Sequence, residues 1–546
     1  MKLPAIFRFL CLGCFGIGLT LPSAAQNGPK PKLVVQIVIS QMRYDYLQRF
    51  YDNFSQSGFR TFLDEGVTYT NAYYNYMLTN TEAGLATLST GTSPAQHGVI
   101  APSWIDFTTG NRINLIEDRQ VKGLDCEEGA GCYSPINLTA ATLGDRLKES
   151  DPASKVISIA LSPSSAIVSG GSSADVYWCY TDHGTWVSSS FYFPELPAWV
   201  KQYNSEKHYT NFLDRNWEPS RPFDSYHNTD RSVIDFVTEK KFRLKEFFKN
   251  LFTASDPNDE RFDVEALQYS PFGNSMVTHF ARQAFISETL GKDEHTDLLT
   301  ICYDTPRYVS EHFGPRSIEL EDMYYKLDAE IGEMIQFIFS QVKPEETIIV
   351  LTSDHGTSDT FREPSRIPMG QFNADQFKMI MNGFLSAQYE PGNWIIDYMD
   401  RQLYLNREMI YKYGFDLAEV QTRAANFALQ FRGVSAAMTS SSMQSGYFGK
   451  GYAEKMQNSF YPKRSGDVTI NLMPGWIELR EGVVSMSGSL YEYDTHVPLM
   501  WLGGGIGKNQ IDRTVSLSDV APTLARIMQI PVPNASTGNA MEEIVR

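Results

Sequence analysis

Several apolar runs of this chain end on residues that can do chemistry. Lys32-Leu-Val-Val-Gln-Ile-Val-Ile-Ser40 ends on a hydroxyl, and Thr347 to Thr352 leads into Ser353-Asp354-His355-Gly356. Leu298 to Tyr303 leads into Asp304-Thr-Pro-Arg307, with Glu311 four residues past Arg307 and Phe313-Gly314-Pro315 closing the turn. An Asp beside a His is an incomplete metal site, or a hydrogen-bonding pair at a buried strand end. Between the first two runs lies TNTEAGLATLSTGTSPAQHG, Thr79 to Gly98, in which Thr81 opens a helix-compatible stretch. A Thr there normally caps the helix by accepting a backbone N–H. At Arg307, where a hydrolytic metal would ask for carboxylate or imidazole, the chain supplies a guanidinium. That group binds anions and cannot ligate a cation.

The elements that must position these residues follow from periodicity. Lys32 to Ser40, Val156 to Leu161, Leu298 to Tyr303, Thr347 to Thr352 and Val497 to Leu502 are near-continuous apolar runs, the pattern of strands buried on both faces of a parallel sheet. Between them, Ile318, Leu320, Met323, Leu327, Ile331, Met334, Ile335 and Ile338 recur mostly at helical spacing. Alternation of this kind predicts an α/β, doubly wound, mostly parallel sheet with helices on both faces. Ligands of such sheets bind beyond the carboxyl ends of the strands, where the residues above fall.

Two stretches interrupt the alternation. Residues 177–269, rich in aromatics, Asn, Ser and Pro, are expected to form an inserted cap, and residues 361–461 a second insertion of α+β type. The second contains the strand-like Asn393 to Leu405 and a helix from Leu417 to Phe431. The core is thereby divided into 26–176, 270–360 and 462–546. The Tyr- and Trp-rich cap suits sugar or peptide binding, although aromatics this numerous are more often core.

With 42% hydrophobic and 20% charged residues, the chain has the composition of a folded protein. Its formal charge of −17 makes nucleic acid and anionic membranes poor partners. Residues 1–25 read as a signal peptide: Lys2 and Arg8 precede an apolar run to Leu21, and Ser23-Ala24-Ala25 offers a cleavage site. A periplasmic or secreted product beginning near Gln26 is expected. No other segment reaches the roughly 20 apolar residues of a membrane span. Cys14 follows Leu12-Gly13 as in a lipidation box, but Cys11 stands where an aliphatic residue belongs. Cys126 and Cys132 flank a loop that a disulfide could close, whereas Cys179 and Cys302 read as buried thiols.

A family resemblance extends this reading. PKLVVQIVISQMRYDYL, LSTGTSPAQHG, EHFGPRSIELED, LTSDHG, YEYDTHVPLMW and SLSDVAPTLARIMQIPVPNASTGNAM occur in order from Pro31 to Met541. Together they resemble the phosphate-irrepressible alkaline phosphatases, a branch of the type I phosphodiesterase and nucleotide pyrophosphatase group in the alkaline phosphatase superfamily. The resemblance implies two zinc ions and a Thr nucleophile, at Thr81. It implies an Asp at the end of the first strand, where this chain has Ser40, and an Asp-His pair, retained as Asp354 and His355. For the other zinc it implies an Asp, a His four residues on and a distant His; Arg307, Glu311 and Ser487 stand at those positions. Where the resemblance implies an Asn, a Lys and an Arg for binding phosphate, this chain has Pro102, Ser162 and Ser164. A shifted reading that recruits Asp304 and His312 separates them by eight residues instead of four.

The expectation is therefore a pseudophosphatase with no zinc, or at most one weakly bound zinc, acting on an unknown ligand or protein partner. Asp354 and His355 are expected to hydrogen-bond at a buried strand end, to Ser40 or Thr81, and Glu311 to pair with Arg307 if the turn is helical. The alternative is an active phosphomonoesterase or phosphodiesterase that works through a Thr81 phosphoenzyme.

Overall fold

The computed structural model describes residues 28–213, 215–228, 265–360 and 369–545. The expected signal peptide, Cys14 and parts of both expected insertions lie outside those residues. A ten-stranded sheet runs in the order Asn509–Ile511, Val67–Tyr69, Leu499–Gly503, Thr347–Thr352, Leu33–Ile39, Asp297–Tyr303, Val156–Ala160, Asp175–Tyr180, Thr185–Ser189 and Gly123–Leu124. The five strands from Thr347–Thr352 to Asp175–Tyr180 are mutually parallel, so their carboxyl ends open on one side.

The first strand shows why the apolar runs are continuous. Leu33, Val35, Ile37 and Ile39 enter one hydrophobic cluster, while Val34 and Val38 enter another on the opposite face. Helices cover both faces, among them Pro271–Ser287 and Ile318–Gln341 on the first, and Thr81–Thr90 with Val520–Ile527 on the second.

Two expectations about the sheet are corrected. The run from Val497 forms Leu499–Gly503, which lies antiparallel to Thr347–Thr352; hydrophobic periodicity reports burial and carries no strand direction. The stretch assigned to a cap begins inside the sheet: Asp175–Tyr180 pairs with Val156–Ala160, and Thr185–Ser189 pairs back on it. Its tryptophans belong to the core. Trp186 stacks on Phe280 at 4.1 Å, and buried Trp217 donates its Nε1–H to Asp322 at 2.6 Å.

A separate four-stranded antiparallel sheet, in the order Ile395–Met399, Gln402–Leu405, Val468–Leu472 and Val434–Thr439, packs its own core around Trp394, Leu403, Val420 and Trp476. It reaches beyond residue 461, because its third strand lies at Val468–Leu472. The first two strands form a hairpin whose tip is Asp400-Arg401, both at positive φ (47° and 66°). Tight hairpins ask for this conformation, usually from Asn-Gly.

Candidate functional site

Thr81 is the first residue of the helix Thr81–Thr90, but it does not cap it. Asn80 does, its side chain accepting from the Ala83 N–H at 2.9 Å. The Thr81 hydroxyl is thereby released from the backbone and lies 3.2 Å from His355 Nε2 and 3.4 Å from Ser40 Oγ. The helix comes this close because Gly84 has no side chain: a Cβ there would stand 2.0 Å from the Asp354 carbonyl oxygen.

Below Thr81 the strand ends form a closed hydrogen-bond set. The Ser40 hydroxyl donates to Asp354 Oδ2 at 2.6 Å, and the Gln41 N–H to Oδ1 at 2.8 Å. His355 Nδ1 lies 2.7 Å from the Gly356 carbonyl. A carbonyl only accepts, so Nδ1 carries the proton and Nε2 accepts from Thr81; this tautomer follows from the hydrogen-bond pattern. Asp354 and His355 are each 1% exposed.

Above Thr81 opens a recess of about 140 Å³. Pro102, Arg307, Glu311, His355 and Ser487 line it with Thr81, so positions up to 406 residues apart in sequence converge there. Ser162 and Ser164 stand to one side, 3.1 Å apart, and the Ser164 hydroxyl donates to Glu82 at 2.9 Å. Asp304 faces away: its oxygens accept from the Ser162 N–H at 2.9 Å and the Ser165 hydroxyl at 2.6 Å. Burial raises its carboxyl to about 6. His312 packs on Tyr269 and Phe313. The shifted reading with Asp304 and His312 therefore finds no support.

One expectation needs correction. The turn after Asp304 is helical, Thr305–Phe313, yet Arg307 and Glu311 form no ion pair; the guanidinium lies over the Tyr308 ring, 4.6 Å from its centroid. Pro102, Ser162 and Ser164 supply no basic clamp, but the hairpin tip and the segment after Trp476–Glu478 bring Arg401 and Arg480 into the recess. Arg401, 4% exposed, reaches Glu478 at 3.3 Å, and Arg480 reaches Glu478 at 3.1 Å and Asp400 at 3.5 Å. Burial raises the Glu478 carboxyl, but Arg401 and Arg480 outweigh it and hold the group below its ordinary range. The hairpin has no sequence-local signal: its tip takes positive φ at two adjacent non-glycine residues, and Asp-Arg is not a pair that announces such a turn.

The donor set does not fit the two zinc ions that the resemblance implies. Among the described residues, no group of three or more His, Cys, Asp or Glu side chains is arranged to hold a metal ion. The atoms that a zinc would take from the retained pair, Asp354 Oδ2 and His355 Nε2, instead accept from Ser40 and Thr81. Cys126 and Cys132 are free thiols.

A parallel sheet with helices on both faces and a hydroxyl at a helix start over the strand ends is the architecture of the alkaline phosphatase superfamily. The type I phosphodiesterase / nucleotide pyrophosphatase family model matches residues 34–482, and the chain belongs to that family. It is 29% identical over 534 residues to a protein of Myroides odoratus named calcium-transporting ATPase, covering 96% of each chain. It is also 29% identical over 530 residues to alkaline phosphatase PhoV of Synechococcus elongatus, covering 95% of this chain and 94% of that one. The crystal structure of wild-type alkaline phosphatase PafA superposes with a TM-score of 0.87 at 26% identity, covering 95% of this chain and 100% of that one.

Proposed function

We propose that this protein is an exported pseudophosphatase, an alkaline-phosphatase scaffold that binds a ligand at Thr81 without hydrolysing phosphoesters. The observation that carries this reading is the Ser40 hydroxyl donating to Asp354 Oδ2 at 2.6 Å. Two facing carboxylates repel and call for a cation between them; a hydroxyl facing a carboxylate is already satisfied. Arg307, at a position where the resemblance implies an anionic ligand, adds fixed positive charge beside the recess. Without a metal the Thr81 hydroxyl stays protonated and is a weak nucleophile. Elemental analysis of undialysed protein, alongside phosphomonoester and phosphodiester assays, tests this. The expected result is well under one zinc per chain and no turnover; two tightly held zinc ions would overturn the reading. Export rests on the composition of residues 1–25. Amino-terminal sequencing of protein from its native host should begin near Gln26.

One observation favours a second reading, of an active enzyme. The Thr81 hydroxyl donates to an imidazole nitrogen at 3.2 Å, as a nucleophile does to its base, and relatives are named alkaline phosphatases. That reading requires phosphoester turnover that disappears in Thr81→Ala.

A further inference from the structure

The charges around the recess do not all cancel. Glu478 takes Arg401, Arg480 and, at 2.8 Å, the Tyr398 hydroxyl, while Arg480 also reaches Asp400, so those four charges are in ion-pair contact, although Arg401 Nη1 makes no hydrogen bond. Arg307 stands apart. Half-buried, it lines the same recess, its Nε is buried without a hydrogen-bond acceptor, and it forms no ion pair with any described residue. Glu82 accepts from the Ser164 hydroxyl and Glu311 from the Gln41 side-chain amide at a long 3.5 Å, and neither pairs with a described cation. One guanidinium and two carboxylates thus face one another around a single small cavity. Burial pulls the Arg307 guanidinium down, but Tyr308, Glu311 and Glu82 outweigh it and raise it, although neither carboxylate is in ion-pair contact with it.

Opposite charges held apart across a small recess leave room for a ligand that contacts both. A phosphate dianion would meet Arg307, but it would also face Glu82 and Glu311. A simple cation meets the reverse problem. A molecule carrying one charge of each sign relieves both.

We propose that the recess over Thr81 binds a small zwitterion of the amino-acid class, its carboxylate on the Arg307 guanidinium and its ammonium between Glu82 and Glu311. This rests on the reading of the site as one that binds without hydrolysing. Guanidinium and carboxylate match as a two-pronged pair, and two acidic side chains suit the three N–H donors of an ammonium.

Calorimetric titration of the full mature chain with the standard L-amino acids tests this, with acetate, methylammonium and inorganic phosphate as single-sign controls. Saturable binding of at least one amino acid is expected, with none for acetate or methylammonium. Arg307→Met and Glu311→Gln should each weaken that binding by about tenfold or more. The amino acid that binds should raise the Tm of the wild type and not that of Arg307→Met, a difference that a residue merely holding the fold would not produce. Binding of phosphate with no amino acid bound, binding indifferent to both substitutions, or no binding at all would each overturn the proposal. Zinc content and phosphoester turnover on the same sample judge the pseudophosphatase reading separately, because turnover would overturn that reading whether or not amino acids bind.

Discussion

Ser40, Arg307, Glu311 and Ser487 test the site at the scale of single residues. Arg307, Glu311 and Ser487 line one recess with Thr81 and His355, and Ser40 Oγ lies 3.4 Å from Thr81. If they stand at vacated ligand positions, Ser40→Asp, Arg307→Asp, Glu311→His and Ser487→His together should rebuild a two-metal cage. Zinc-dependent rise in Tm is the readout, since tetrahedral sites tolerate little misplacement. Activity should stay weak, because Pro102, Ser162 and Ser164 supply no charged donor to a phosphoryl group, and it should vanish on adding Thr81→Ala. A folded fourfold variant that takes up no zinc would show that the ligand positions are misplaced. Ser40→Ala alone should cost about 1–3 kcal/mol in urea unfolding, because it strips a hydrogen bond from a buried carboxylate.

At the scale of elements, two close approaches build the recess. The helix Thr81–Thr90 can dock against the Asp354 turn only through Gly84, where a Cβ would meet backbone at 2.0 Å. Gly84→Ala raises helix propensity by about 1 kcal/mol, but backbone on both sides cannot yield as a flexible side chain could. We expect the clash to win, with a net loss of about 1–3 kcal/mol in stability and displacement of Thr81 from His355. The hairpin tip poses a similar contest. Arg401→Gly would relieve about 1–2 kcal/mol of left-handed backbone strain, yet it removes a guanidinium from Glu478, which is 4% exposed. Glu478 keeps Arg480 and the Tyr398 hydroxyl, so the loss stays below about 3–5 kcal/mol, the cost of a buried charge left unpaired, and the variant should be destabilised by about 1 kcal/mol. A higher midpoint in denaturant would show that the ion pair contributes little.

Across the whole molecule, burial sets how stability responds to pH. His97, fully buried, is pushed down to about 3, chiefly by desolvation. Its unfolded form takes up a proton first, so its contribution is lost as pH falls below about 6.5. Asp494 moves the other way. Desolvation raises it to about 7 despite the Ser489 hydroxyl on Oδ2, while Oδ1 has no partner. The folded state holds that proton after the unfolded state has released it, so stability falls as pH rises from about 4 to about 7. Asp494→Asn should cancel this slope. Measured by urea unfolding, the variant should gain on the wild type by about 1.4 kcal/mol per pH unit across that window, and the gain should level off above it. A constant difference would mean that Asp494 does not titrate there.

The strands, the long helix and the meeting of Thr81, Asp354 and His355 at strand ends were legible in the sequence. Buried parallel strands write continuous apolar runs, and their carboxyl ends are where such sheets place ligands. The pairings were not. Asn80, not Thr81, caps the helix, and the Thr81 hydroxyl meets His355 from 274 residues away. The helical spacing of Arg307 and Glu311 allowed an ion pair, but Tyr308 offers the guanidinium a ring face instead. Leu499–Gly503 runs antiparallel, and Asp175–Tyr180 with Thr185–Ser189 extends the sheet, because local pattern encodes burial and leaves direction and register to the partner strands. Arg401 and Arg480 belong to the second sheet and the segment after it, and only the packing of that sheet against the first turns them toward Thr81. Local sequence sets what each segment can form; which charges face one another across the recess depends on contacts between segments hundreds of residues apart.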